Sequence, residues 1–123
     1  MDKNMKVRNR RQIATTLVKE LTSYTQARAK GQNDMSVYHL GRAHILSQHR
    51  WFHHFYVHFL MLEYSWGRKD RKEVWAQIIR MFSTIPGHIF QKLPKGNTGW
   101  SSVGLREELP LPKEFKEIGR AHV

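Results

Sequence analysis

Residues 30–46, KGQNDMSVYHLGRAHIL, align without a gap against residues 66–82, WGRKDRKEVWAQIIRMF, at an offset of 36. Gly31 matches Gly67, Asp34 matches Asp70 and Leu46 matches Phe82. Glycine suits the left-handed position that ends a helix, and aspartate can cap the next one. Each copy therefore reads as the turn of a helical hairpin. Outward from these turns, apolar residues recur at helical spacing. Ile13, Leu17, Val18, Leu21 and Tyr24 mark a helix over about Arg10–Lys30, and Val37, Leu40, Ala43, Ile45 and Leu46 mark a second, capped by Asp34 and ending near Ser47. A nearly continuous apolar and aromatic run predicts a third, central helix over Trp51–Trp66. Val74, Ile78, Ile79, Met81 and Phe82 mark a fourth that starts at Asp70 and stops before Pro86-Gly87.

A helix–turn–helix unit of this length is close to the tetratricopeptide period. The expected fold is all-α: two tetratricopeptide-like hairpins, about four helices, over residues 10–82. Residues 1–9 read as a basic, flexible N-terminus. Residues 83–123 carry all four prolines and read as an irregular wrap that lays Leu93, Trp100, Val103, Leu105, Leu109, Leu111 and Phe115 back across the helices. Lys95-Gly-Asn-Thr-Gly99 is a tight turn in that wrap, read as a plain turn in preference to an anion nest.

The absence of cysteine excludes disulfides and thiolate zinc sites and fits a cytoplasmic setting. No apolar run is long enough to span a bilayer. The net charge of +11, concentrated at Lys3–Arg11 and Arg68–Lys72, would attract nucleic acid without sequence preference. No recognised nucleic-acid motif accompanies it, so a solvated basic surface is the preferred reading. The aromatic residues Trp51, Phe52, Phe55, Tyr56, Phe59, Tyr64, Trp66 and Trp75 are likewise read as core in preference to stacking platforms for bases.

Six of the eight histidines fall between His39 and His58. His54 and His58, four apart on one helix, differ by about 40° in azimuth and about 6 Å in height, which suits joint coordination of one ion. Antiparallel pairing about the turn at 49–50 brings His44 beside them, and the same arithmetic about residues 32–33 puts Glu20 level with His44. The expected site is thus Glu20, His44, His54 and His58, supplied by three helices as helical bundles build metal centres. Three imidazoles and a carboxylate suit zinc, iron, nickel or copper(II). His39 lies about 140° round its helix from His44 and is not a ligand of the same ion, while His49 and His53 read as exposed. Against this stands a core in which the histidines hydrogen-bond to protein groups, with Glu20 holding His44. Catalysis by a metal-dependent hydrolase or oxygenase would need an open coordination position and an acid–base group; Glu63 and Tyr24 are the candidates, and the enzyme reading is not preferred.

The run His39-Leu-x-Arg-Ala-His44-x-Leu-x-Gln48, then His54-x-x-x-His58-x-x-Met-Leu62, Trp66-x-Arg68-x-Asp70 and Gly96-Asn-Thr-Gly99 resembles a small family of uncharacterised bacterial proteins known only as a domain of unknown function. The likeness covers about residues 17–113. It implies a single-domain helical protein, supplies no activity, and includes Glu20, His39, His44, His54 and His58, with His49, His53, His88 and His122 outside the pattern. The chain departs from it at Phe52-His53, where glycine-proline is common, at Trp100-Ser-Ser, and in its more basic N-terminus.

Three functions are therefore expected in order. The first is a small helical protein that binds a transition metal, in metal handling or stress response. The second is a tetratricopeptide-like module for a protein partner, and the third is nonspecific nucleic-acid binding.

Overall fold

A computed structural model of the chain describes residues 3–120, so His122 and the ends of the two terminal segments lie outside it. Five helices follow in order: α1 (Lys3–Ala29), α2 (Asn33–Ser47), α3 (Trp51–Gly67), α4 (Arg71–Ile89) and α5 (Lys113–Arg120), with no strand among the described residues. The all-α class is as expected. α1 pairs with α2 and α3 with α4, as two hairpins, and α2 packs on α3 to join them.

The hairpin turns form where the repeat placed them, but they are not copies. In the first, Gly31 takes the left-handed conformation (φ 70°); in the second that conformation falls on Lys69 (φ 59°), two residues after Gly67. The caps differ as well. Asp70 accepts a hydrogen bond from the Glu73 backbone N–H at 3.1 Å, closing one of the open donors at the start of α4. Asp34, expected to cap α2, lies inside its first turn instead; Gln32 occupies the cap with no side-chain hydrogen bond.

Other boundaries also move. α1 begins at Lys3, so the basic start continues the helix where a separate tail was expected. α4 runs through Pro86 to Ile89. Proline lacks one N–H and conflicts with the preceding turn, yet the residues after it can still donate. Phe90 N–H reaches the Pro86 carbonyl at 2.9 Å and Lys92 N–H the Gly87 carbonyl at 2.9 Å, which carries the last turn past the break. The irregular wrap ends in α5, which was not expected.

The core joins Ile13, Leu17 and Tyr24 of α1, Leu40, Ala43 and Leu46 of α2, Val57, Met61 and Tyr64 of α3, and Trp100, Phe115 and Ile118 from the C-terminal segment. Trp100 is pinned by its indole N–H donating to the Val37 carbonyl at 3.1 Å. Arg42 lies 4.4 Å from the Phe115 ring centroid and pairs with Glu114 at 3.3 Å, which fixes α5. The aromatic residues of α3 and α4 correct the core reading. Phe52, Tyr56, Phe59 and Trp66 on α3, with Trp75, Ile79, Phe82 and Ile89 on α4, are exposed, Trp66 at 72%. The inward sides of these helices mix apolar residues (Val57, Met61, Val74 and Met81) with buried polar ones (His54, His58, Gln77 and Arg80), while their outward sides are largely apolar. No helix among the described residues is long and apolar enough to cross a membrane.

Candidate metal centre

His44 projects from α2, and His54 and His58 from adjacent turns of α3, and all three are buried. Their Nε2 atoms form a near-equilateral triangle: 3.0 Å from His44 to His58, 3.0 Å from His54 to His44, and 3.2 Å from His58 to His54. Any three-histidine metal site needs this convergence, and among the described residues these three form the one group of its kind.

The outward nitrogens decide how the inward ones are protonated. His44 Nδ1 lies 2.6 Å from the Asn97 carbonyl oxygen, so Nδ1 carries the proton and donates. His58 Nδ1 donates to Gln77 Oε1 at 2.7 Å. Gln77 cannot be turned the other way without loss, because its amide group donates to Glu73 Oε2 at 2.8 Å and to the Gly99 carbonyl at 2.9 Å. Two Nε2 lone pairs therefore face one another at 3.0 Å. His54 Nδ1 meets His88 Nε2 at 2.9 Å, the remaining support of the triangle.

Burial keeps the rings neutral. It pushes His54 down to about 2, helped by His58 and His88, and pushes His44 well below the ordinary histidine range, helped by His58 and His54. His58 falls to about 4, again by burial and against the hydrogen bond it donates to Gln77, with the Arg80 charge adding to the shift. At neutral pH the rings are therefore uncharged, and Nε2 of His44 and of His58 keeps a bare lone pair.

The Lys95–Gly99 turn serves this site. Asn97 Oδ1 accepts the Gly99 N–H at 2.8 Å, and its amide donates to the carbonyls of Gly104 and Glu107 at 2.8 and 2.9 Å. Its own carbonyl is left for His44. Gly99 (φ 85°) passes so close to His44 that a Cβ there would stand 2.6 Å from the ring carbon Cδ2. The three rings line a pocket of about 350 Å³ whose walls include Arg80, Ser83, Thr84, Lys92 and Arg106.

Glu20 is not brought to the triad. Its carboxylate accepts from Arg42 Nε at 2.7 Å and meets His39 Nδ1 at 2.8 Å. The pairing arithmetic gave height and left azimuth open: α1 packs against the face of α2 that bears His39 and Arg42, three residues apart, while His44 points to α3. Glu63 and Tyr24 do not approach either; both contact Arg28, at 2.8 and 3.0 Å. Sequence reasoning missed His88, Gln77 and Asn97 as supports. The first lies outside the family pattern, and only the Gly-Asn-Thr-Gly run draws attention to the third.

The family described as "Protein of unknown function (DUF3703)" matches residues 11–118. The chain belongs to this family. The match takes in α1 from its third turn onward, both hairpins and most of α5, with every residue of the histidine triangle and its supports. No curated protein and no solved structure matches.

Proposed function

We propose that the protein binds a single transition-metal ion through Nε2 of His44, His54 and His58. The observation that carries this reading is the closed triangle of Nε2 atoms, two of them bare because their Nδ1–H groups are committed to Asn97 and Gln77. Facing lone pairs repel, and a cation between them turns that repulsion into coordination. Edges of 3.0–3.2 Å put each nitrogen about 1.8 Å from the centre of the triangle. A metal–nitrogen bond of about 2.0–2.1 Å then sets the ion about 1 Å out of the plane, with N–metal–N angles near ~97°. That lies between the face of an octahedron and that of a tetrahedron, and suits zinc, iron, nickel or copper. Backbone or side-chain acceptors on the far nitrogens are what metal-bound histidines ordinarily have.

The test is elemental analysis of protein purified without a histidine tag, before and after reconstitution. One equivalent of metal is expected, lost in His54→Ala and His58→Ala, with a chelator lowering the melting temperature. No stoichiometric metal after reconstitution overturns the proposal. In that case a single proton on His54 Nε2 must serve both neighbours, and His44→Ala destabilises the fold with no sensitivity to chelator.

A second reading, a module for a protein partner, is supported by the exposed apolar residues of α3 and α4. Faces of this kind mark interaction sites more often than plain surface. Capture of a partner that is lost in the double substitution Trp66→Ala, Trp75→Ala and kept in His54→Ala would favour it.

A further inference from the structure

A metal held by three neutral imidazoles keeps its whole charge, since none of its ligands is anionic. Here the surroundings do not offset it. The pocket lined by the triad also carries Arg80, Lys92 and Arg106, and no aspartate or glutamate is among its lining residues. Arg80 is buried and fixed, its guanidinium donating to the carbonyls of Trp100 at 2.8 Å and Val103 at 2.6 Å. Its nearest carboxylate influence, Glu73, is turned to Gln77 and Ser101. Lys92 and Arg106 are exposed at the pocket wall. A divalent ion added to three cations in a partly enclosed cavity is a large uncompensated charge, and the low dielectric of buried walls magnifies it. Three protein ligands also leave at least one coordination position open, as catalytic and carrier sites do and closed structural sites do not.

Resting on the metal reading above, we infer that the open position of the His44–His54–His58 site takes a small anionic oxygen ligand, a carboxylate or an inorganic oxyanion, seated between the metal and the Arg80–Lys92–Arg106 wall. The cavity of about 350 Å³ accommodates an ion of a few heavy atoms with accompanying water. Ser83 and Thr84 line the same wall. Thr84 Oγ1 accepts from the Trp51 indole and donates to the Met81 carbonyl, so Ser83 is the hydroxyl whose bond, to the Ile79 carbonyl, is the more exposed and the more easily exchanged. Metal and anion bind cooperatively, because each offsets the charge that opposes the other. By linkage the coupling is the same from either side.

The probe is cobalt(II), which reports its coordination number in the visible spectrum. The metal-free full chain is titrated with cobalt(II), and the one-equivalent complex is then titrated with acetate and, separately, with phosphate, against chloride at equal ionic strength. A saturable change of the cobalt bands by acetate, phosphate or both is expected, and the two arms tell which class of oxygen anion fits. Cobalt affinity should rise at least about fivefold in the saturating anion. Arg106→Ala and Lys92→Ala should each weaken the anion about two- to fivefold while cobalt still binds at one equivalent. One equivalent of cobalt with a spectrum indifferent to both anions overturns this inference and leaves the metal site standing as a closed one. Anion binding of equal strength to the metal-free protein overturns it too. Failure to bind cobalt at all removes the metal site and the inference together.

Discussion

Gly99→Ala tests whether the Lys95–Gly99 turn holds His44 in place. Two costs can be worked from the structure. Gly99 sits at φ 85°, a left-handed conformation that costs an alanine about 1–2 kcal/mol. Its new Cβ would also stand 2.6 Å from His44 Cδ2 and 2.7 Å from Cγ. The ring cannot swing aside freely, since Nδ1 is bound to the Asn97 carbonyl and Nε2 closes the triangle. Overpacking of this kind costs about 1–3 kcal/mol more. Gly31→Ala is the control, because Gly31 has φ 70° and no neighbour within 4 Å of the added Cβ. It should pay the conformational cost alone. Urea unfolding of both variants in a chelating buffer gives the difference, expected at about 1–3 kcal/mol, or a midpoint about 1–2 M lower for Gly99→Ala. Equilibrium dialysis against zinc then asks whether the site survives, with one equivalent expected for Gly31→Ala and clearly weakened binding for Gly99→Ala. Equal stability losses in the two variants, or wild-type zinc affinity in Gly99→Ala, would refute the claim that this turn positions His44.

Acid should unfold the metal-free protein steeply. The folded rings refuse protons that the unfolded chain accepts below about pH 6.5, so stability falls as pH drops from there. For His58, lowered to about 4, the loss amounts to about 3 kcal/mol by pH 4, and a stability flat between pH 7 and pH 5 would contradict it. Glu20→Ala strips a half-buried Arg42 and His39 of their shared carboxylate and should cost about 2–4 kcal/mol by urea unfolding while metal stoichiometry stays unchanged; loss of the metal would restore Glu20 as a ligand. Asp70→Ala should cost about 1 kcal/mol through the lost cap of α4, whereas Asp34→Ala should cost only a few tenths, a contrast that thermal denaturation can resolve.

The candidate site was partly legible because helices impose regular geometry. Four-residue spacing is enough to place His54 and His58 on one face, and a short loop at residues 48–50 forces α2 and α3 antiparallel, which brings His44 to their height. Glu20 shows where that logic stops. Height along a helix follows from counting, but azimuth depends on which face packs inward, and α1 packs where Arg42 and His39 wait for its carboxylate. The exposed Trp66 and Trp75 mark a second limit, since apolar spacing cannot tell a face buried in the chain's own core from one left outside it.

By itself, then, the sequence determined the four main helices, their two hairpins and the common height of three histidines, because these depend on local propensity and on residues close along the chain. Only the tertiary structure decided what fixes those histidines. Asn97 is 53 residues from the ring it orients, Gln77 is 19 from His58, and His88 is 34 from His54. Contacts of that range leave no periodicity to read, and they turn three imidazoles at one height into three nitrogens aimed at one point.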